Sequence, residues 1–123
     1  MPIEVEPFFD DIDVGDLEGL SLEDYRAWKR QHTRADPFPG GESLDTAARR
    51  YVQAYRKLLG GGRRSVLVVC HEIPIRYALN AAAGAEGLDG PAHELPNATP
   101  FLFDDQSLAR AAHRIHELSK PLR

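Results

Sequence analysis

The chain has 123 residues, a hydrophobic fraction of 42%, a charged fraction of 28% and a formal net charge of −4. This is the composition of one globular domain large enough to bury a core, and it excludes a disordered chain. The acidic balance argues against nucleic acid or an anionic membrane as partner: both call for a basic face, and Arg63-Arg64 is too short a patch to supply one.

No apolar stretch approaches the ~20 residues of a membrane-spanning helix. Met1-Pro-Ile-Glu-Val-Glu is acidic and lacks the apolar region of a signal peptide. Cys70 is the only cysteine. It excludes an internal disulfide, reads as a small buried hydrophobe, and fits a reducing, cytoplasmic setting.

Residues 3 to 9, Ile-Glu-Val-Glu-Pro-Phe-Phe, begin by alternating apolar and charged. They predict a short edge strand ended by Pro7. Residues 10 to 19 form an acidic loop punctuated by Gly15 and Gly19. Ser21 caps a helix that carries Leu22, Tyr25 and Trp28 on one face and frays by His32 and Thr33. Asp36-Pro-Phe-Pro-Gly-Gly is loop. Ser43 caps a second helix, with Asp45 in its first turn. Leu44, Ala47, Ala48, Tyr51, Val52, Tyr55, Leu58 and Leu59 repeat there at helical spacing, and Gly60-Gly-Gly stops it.

Ser65-Val-Leu-Val-Val-Cys70 is a run of apolar, mostly β-branched residues that ends in His71. It predicts a strand buried on both faces, as in a parallel sheet with helix cover. Ligands bind beyond the carboxyl ends of such strands, where His71 stands. Pro74 suits the first turn of a helix running to about Gly84. Residues 84 to 98 are irregular and are the candidate for a lid. Thr99-Pro-Phe-Leu-Phe predicts a last edge strand, residues 106 to 118 a helix, and the tail after Lys120 frays. One strong strand with two weak ones is too few for a stable sheet, so part of the sheet is expected to be missing.

Several pieces, in order, resemble the histidine phosphatase superfamily, also called phosphoglycerate-mutase-like. They are Asp11-Ile-Asp-Val-Gly-Asp-Leu-Glu-Gly19, Trp28, Pro39-Gly-Gly-Glu-Ser43, the strand ending in His71, and Pro74-Ile-Arg76. The resemblance implies an α/β fold, a three-layer α/β/α sandwich with a mostly parallel sheet. It implies phosphoryl transfer through a phosphohistidine. His71 matches the family's second histidine, which contacts the phosphate. Asp11 stands where a carboxylic acid, usually Glu, donates a proton, with Asp10 and Asp13 as neighbouring alternatives. Arg76 would reach the anion, and Glu42 and Ser43 would support the site by hydrogen bonding and helix capping.

One departure from the family is large. The sequence contains no Arg-His-Gly, the motif that carries the family's nucleophile, and no match for its phosphate-clamping arginines. The resemblance therefore starts partway into the family's domain, so residues 1 to 123 are read as one partial domain, incomplete at the N-terminus, with Met1 at an internal position. The expected activity is phosphomonoester hydrolysis rather than mutase chemistry, weak or absent in this chain by itself. The alternative is a non-catalytic remnant that binds a phosphorylated ligand or a protein. A small phosphorylated substrate is expected, without metal or cofactor, as is a homo-oligomer formed through an exposed sheet edge. His113, His116 and Glu117 share a helix, but without further ligands they read as a solvent-facing group. The Gly60-Gly-Gly-Arg-Arg-Ser run lacks P-loop spacing.

Overall fold

A computed structural model describes residues 3–120. Four helices build it: α1 (Leu22–Arg30), α2 (Leu44–Gly60), α3 (Glu72–Ala82) and α4 (Asp105–Leu118), with short 3-10 turns at Pro7–Phe9 and Gly15–Leu17. Among the described residues no helix is long and apolar enough to cross a membrane. The readings of Met1 and of the tail after Lys120 fall outside the described residues.

Three helices start where a short polar side chain can accept from a free N–H of the first turn. Ser21 Oγ accepts from the Asp24 amide, Ser43 Oγ from Thr46, and Asp104 from Ser107. α2 is the spine. Its stripe of Ala47, Ala48, Tyr51, Val52, Ala54 and Tyr55 is buried. Ala111, Ala112 and Ile115 of α4 and Tyr77, Ala78 and Ala81 of α3 complete the same core. The alanines let the helix axes approach, and the tyrosines fill the space between them. Tyr51 meets Tyr77 edge-on with ring centroids 6.3 Å apart, and Phe9 meets Tyr55 at 5.2 Å. The Tyr55 hydroxyl donates to the Pro74 carbonyl at 2.6 Å, which fixes the start of α3 against α2.

Asn80 is buried to 1% exposure on α3. Its amide nitrogen donates to the Leu88 and Ala92 carbonyls, and its oxygen accepts from the Ala92 N–H at 2.7 Å. This clamp seats Leu88 in the core and ties the irregular segment after α3 to the helix.

The α/β fold expected from the sequence, with its three-layer α/β/α sandwich and parallel sheet, is overturned: the described residues contain no strand. Residues 65–70 are extended, but no backbone hydrogen bond engages them or residues 99–103. Leu67 is 84% exposed and Val69 89%. The pattern was apolar enough for a buried strand, yet a strand exists only if another supplies its hydrogen-bond ladder, and no second segment lies in register. Residues 3–6 are likewise unpaired, and the chain turns into the 3-10 turn at Pro7. With no sheet there is no sheet edge. The surface expected to mediate self-association reduces to exposed apolar side chains on residues 66–69, Ile3, Val5 and Leu102.

Smaller differences have local causes. Leu22 is 60% exposed, because α1 packs through Tyr25 and Trp28, which stack on Phe38 at 5.6 and 4.3 Å. Cys70 is half-buried rather than buried, since the segment carrying it is open on one side.

Candidate functional site

Three segments converge at one end of α2: the acidic loop 10–19, the Pro39–Ser43 turn, and the N-terminus of α3. The first two are laced together through their backbones. The Glu42 amide donates to the Asp13 carbonyl at 2.9 Å, and the Asp16 amide donates to the Pro39 carbonyl at 2.7 Å. The crossing is so close that it admits no side chain. A Cβ on Gly41 would stand 2.3 Å from the Asp13 oxygen, and one on Gly15 would stand 2.2 Å from the Pro39 oxygen. Gly15 also adopts φ +55°, which glycine tolerates best. The two glycine-containing motifs of the sequence are thus two halves of one contact.

Glu42 and Arg50 set the acidic loop in place. A Glu42 carboxylate oxygen accepts from the Asp13 amide at 3.0 Å. The carboxylate also pairs with the Arg50 guanidinium, which donates to the Phe8, Asp10 and Asp11 carbonyls at 3.1, 2.7 and 3.2 Å. Both side chains of the ion pair are about four-fifths buried, at 20% and 16% exposure. Burial alone would depress the Arg50 pKa, but its bonds to Glu42 outweigh that and raise it. Ser43 is buried; it caps α2 and donates to the Thr46 hydroxyl at 2.9 Å.

His71 occupies the N-cap of α3 without spending its side chain on the cap. Its Nδ1 stands 3.9 Å from Asp11 Oδ2, and both side chains are about half exposed. Asp13, one of the alternatives to Asp11, is occupied by the Gly15 amide at 2.9 Å. Asp11 is therefore the carboxylate that faces the imidazole. A depression of about 400 Å³ opens beside it, lined by Asp10, Asp11, Asp13, Glu42 and Arg50 among others. Arg76, one turn into α3, is buried to 8% exposure. Its ion pair with Glu72 is loose, at 3.6 Å, and its Nε finds no acceptor among the described residues.

The other imidazoles stand elsewhere. His32 stacks on Trp28 at 3.9 Å and its ring nitrogen contacts the Trp28 carbonyl. His113 pairs with Glu117 at 3.2 Å on the exposed face of α4. Among the described residues no three His, Cys, Asp or Glu side chains are grouped to hold a metal ion. The Cys70 thiol beside His71 is pushed up in pKa by burial, against a weaker opposing effect of its contact with the His71 carbonyl.

The residue that sequence reasoning missed is Arg50. Its signal was present: a cation inside an apolar helical stripe, eight positions after Glu42, has to find a partner at the rim of the core. Nothing local indicated that the partner would include three carbonyls of the acidic loop.

Comparison with curated proteins and with solved structures gives no significant match. A family model, the histidine phosphatase superfamily (branch 1), matches residues 1–106. The chain belongs to the histidine phosphatase superfamily.

Proposed function

We propose that His71 and Asp11 form part of a site for small phosphomonoesters, with His71 as a phosphate ligand and Asp11 as proton donor. The observation that carries this is their pairing: the imidazole at the helix N-terminus stands 3.9 Å from the carboxylate of the acidic loop. A phosphate there would meet His71, the unspent N–H groups at the start of α3, and the positive end of that helix. Asp11 bonds to its neighbour's amide at 2.9 Å and otherwise faces solvent, so it can exchange protons.

In the complete reaction an imidazole attacks phosphorus in line and forms a P–N bond as the P–O bond to the alcohol breaks. The carboxylic acid gives its proton to the departing oxygen. The resulting carboxylate takes a proton from water, whose oxygen displaces the imidazole and yields inorganic phosphate. Hydrolysis is favoured over transfer to a second substrate because the Gly-Asp-Leu-Glu-Gly and Pro-Gly-Gly-Glu-Ser pattern resembles the phosphatase branch.

The nucleophilic imidazole is the component this sequence does not supply in its family motif. These 123 residues by themselves are therefore expected to bind phosphate but to hydrolyse it weakly or not at all. The purified chain assayed with p-nitrophenyl phosphate tests the second half: turnover of order 1 s⁻¹ or faster, within the ordinary enzyme range, refutes it. Titration with inorganic phosphate, followed on the His71 ring protons by NMR, tests the first half. No shift of those signals at millimolar phosphate refutes it.

A second reading, a non-catalytic binder of phosphorylated ligands, is favoured by one observation. Arg76 is a buried cation whose charge is incompletely answered within the described residues. It predicts the same phosphate titration with no turnover even when an Arg-His-Gly segment is restored in cis.

A further inference from the structure

Arg76 and Lys29 are two cations whose charge the surrounding side chains answer poorly. The contrast is Arg34, which donates to Asp45 at 3.0 Å, to both oxygens of Asp89 at 2.8 Å, and to the Tyr77 hydroxyl at 3.0 Å. Arg76 has one loose pair and an orphaned Nε, although it is more than nine-tenths buried. A buried charge left so is costly unless a ligand completes its shell.

Lys29 is half-buried on α1. Its ammonium lies 5.4 Å from the centroid of the Tyr25 ring, and that ring stacks on Phe38. No ion pair engages it among the described residues. Burial lowers its pKa; the charge of Asp89 opposes this, and those of Arg76 and Arg34 add to it. The Tyr25 phenol feels burial first, then the charges of Arg76 and Asp11. The Tyr25–Lys29 face of α1 therefore stands within electrostatic reach of the first turn of α3 and of the acidic loop.

We propose that Lys29, backed by Arg76, forms a second anion-binding position beside the His71–Asp11 pair, so that the preferred ligand is a phosphomonoester with a second anionic group on its alcohol half. The inference rests on the phosphate-site reading above. The Tyr25 ring, fixed by Phe38, forms the wall that holds the ammonium in place. An ammonium with no competing carboxylate suits a carboxylate or phosphate oxygen, whereas a neutral alcohol half would leave both cations unanswered.

The test uses the 123-residue protein and two probes at constant ionic strength, methyl phosphate and phosphoglycolate, each titrated by amide NMR. Phosphoglycolate is expected to bind about ten-fold tighter, the difference that one charge-assisted contact gives. Lys29→Met should bring phosphoglycolate down to the affinity of methyl phosphate and leave methyl phosphate within about two-fold of its original value. Lys29→Arg should keep most of the difference. Equal affinities in the unmodified protein, or an equal loss for both probes in Lys29→Met, overturn the inference and leave the phosphate site standing. Absence of binding by either probe overturns the phosphate site and this inference with it.

Discussion

Replacing Arg50 by methionine is the most informative single change. The guanidinium ties the Phe8, Asp10 and Asp11 carbonyls to the Glu42 carboxylate, and that pair is about four-fifths buried. Methionine keeps the apolar stem and its packing over the Tyr51 ring, where the guanidinium carbon stands 5.0 Å from the centroid. It removes the charge and every donor. Breaking a fully buried ion pair from one side costs about 3–5 kcal/mol. Here the carbonyls of the acidic loop can turn to water, so the lower end applies, about 3 kcal/mol. For a domain of this size that corresponds to a fall of roughly 10 °C in Tm. The assay is thermal unfolding followed by circular dichroism, with Glu42→Gln and the double variant completing a cycle. A coupling of about 2 kcal/mol between positions 42 and 50 is expected. Arg50→Lys should recover only part of the loss, because an ammonium cannot reach carbonyls and carboxylate together. A Tm within 2 °C of the parent for Arg50→Met, roughly 0.5 kcal/mol, refutes the claim that this arginine holds the loop.

Three further outcomes follow from the same geometry. Gly41→Ala drives a methyl group into the Asp13 carbonyl and should cost about 2–3 kcal/mol by parting the two loops, whereas Gly19→Ala, at φ +82° in open space, should cost about 1 kcal/mol; equal unfolding midpoints in urea for the two variants refute the crossing. The Asp104 carboxylate is held below the ordinary aspartate pKa first by the Ser107 amide and then by the Ser107 hydroxyl. Its contribution is therefore full above the unfolded aspartate pKa and is lost as the pH falls through the folded one. The stability gap between the parent and Asp104→Ala should shrink through that acid window, and a gap constant between pH 7 and pH 2 refutes the cap. Leu67 and Val69 leave a large apolar surface in water, so sedimentation velocity should show concentration-dependent association that Val69→Lys reduces, and a parent that stays monomeric at high concentration refutes it.

The helices were legible because their information is local. A serine or aspartate before a helical stripe caps whatever else the chain does, and the α2 stripe from Leu44 to Tyr55 buries as its spacing requires. The strand was not legible in the same sense. Val66 to Cys70 carry a composition that fits a buried strand, but pairing depends on a second segment that composition cannot supply. The reading extended a local preference to a non-local structure. At the site, the Gly15 and Gly41 motifs announced a tight turn without revealing that they cross each other. His71 and Asp11, 60 positions apart, were brought together only through the family resemblance, and the structure sets them 3.9 Å apart. The burial of Arg76 was misjudged, because a cation one turn into a helix ordinarily points outward, and here Glu72 lies on the same face four residues before it.

The Asn80 clamp divides the stretch between α3 and α4 into two parts with different histories open to them. Up to Ala92 the chain is moored to a buried amide, and an insertion or deletion there would unseat Leu88 from the interior. From His93 to Thr99 most side chains lie exposed, and the main mooring is the Leu95 amide, which donates to Glu72 at 2.7 Å. That outer half can lengthen, shorten or change chemistry without cost to the hydrophobic interior, and it begins beside the helix that carries His71. Variation among natural or engineered versions of this protein should accordingly gather after position 92, where a change in ligand preference can arise without a change in architecture.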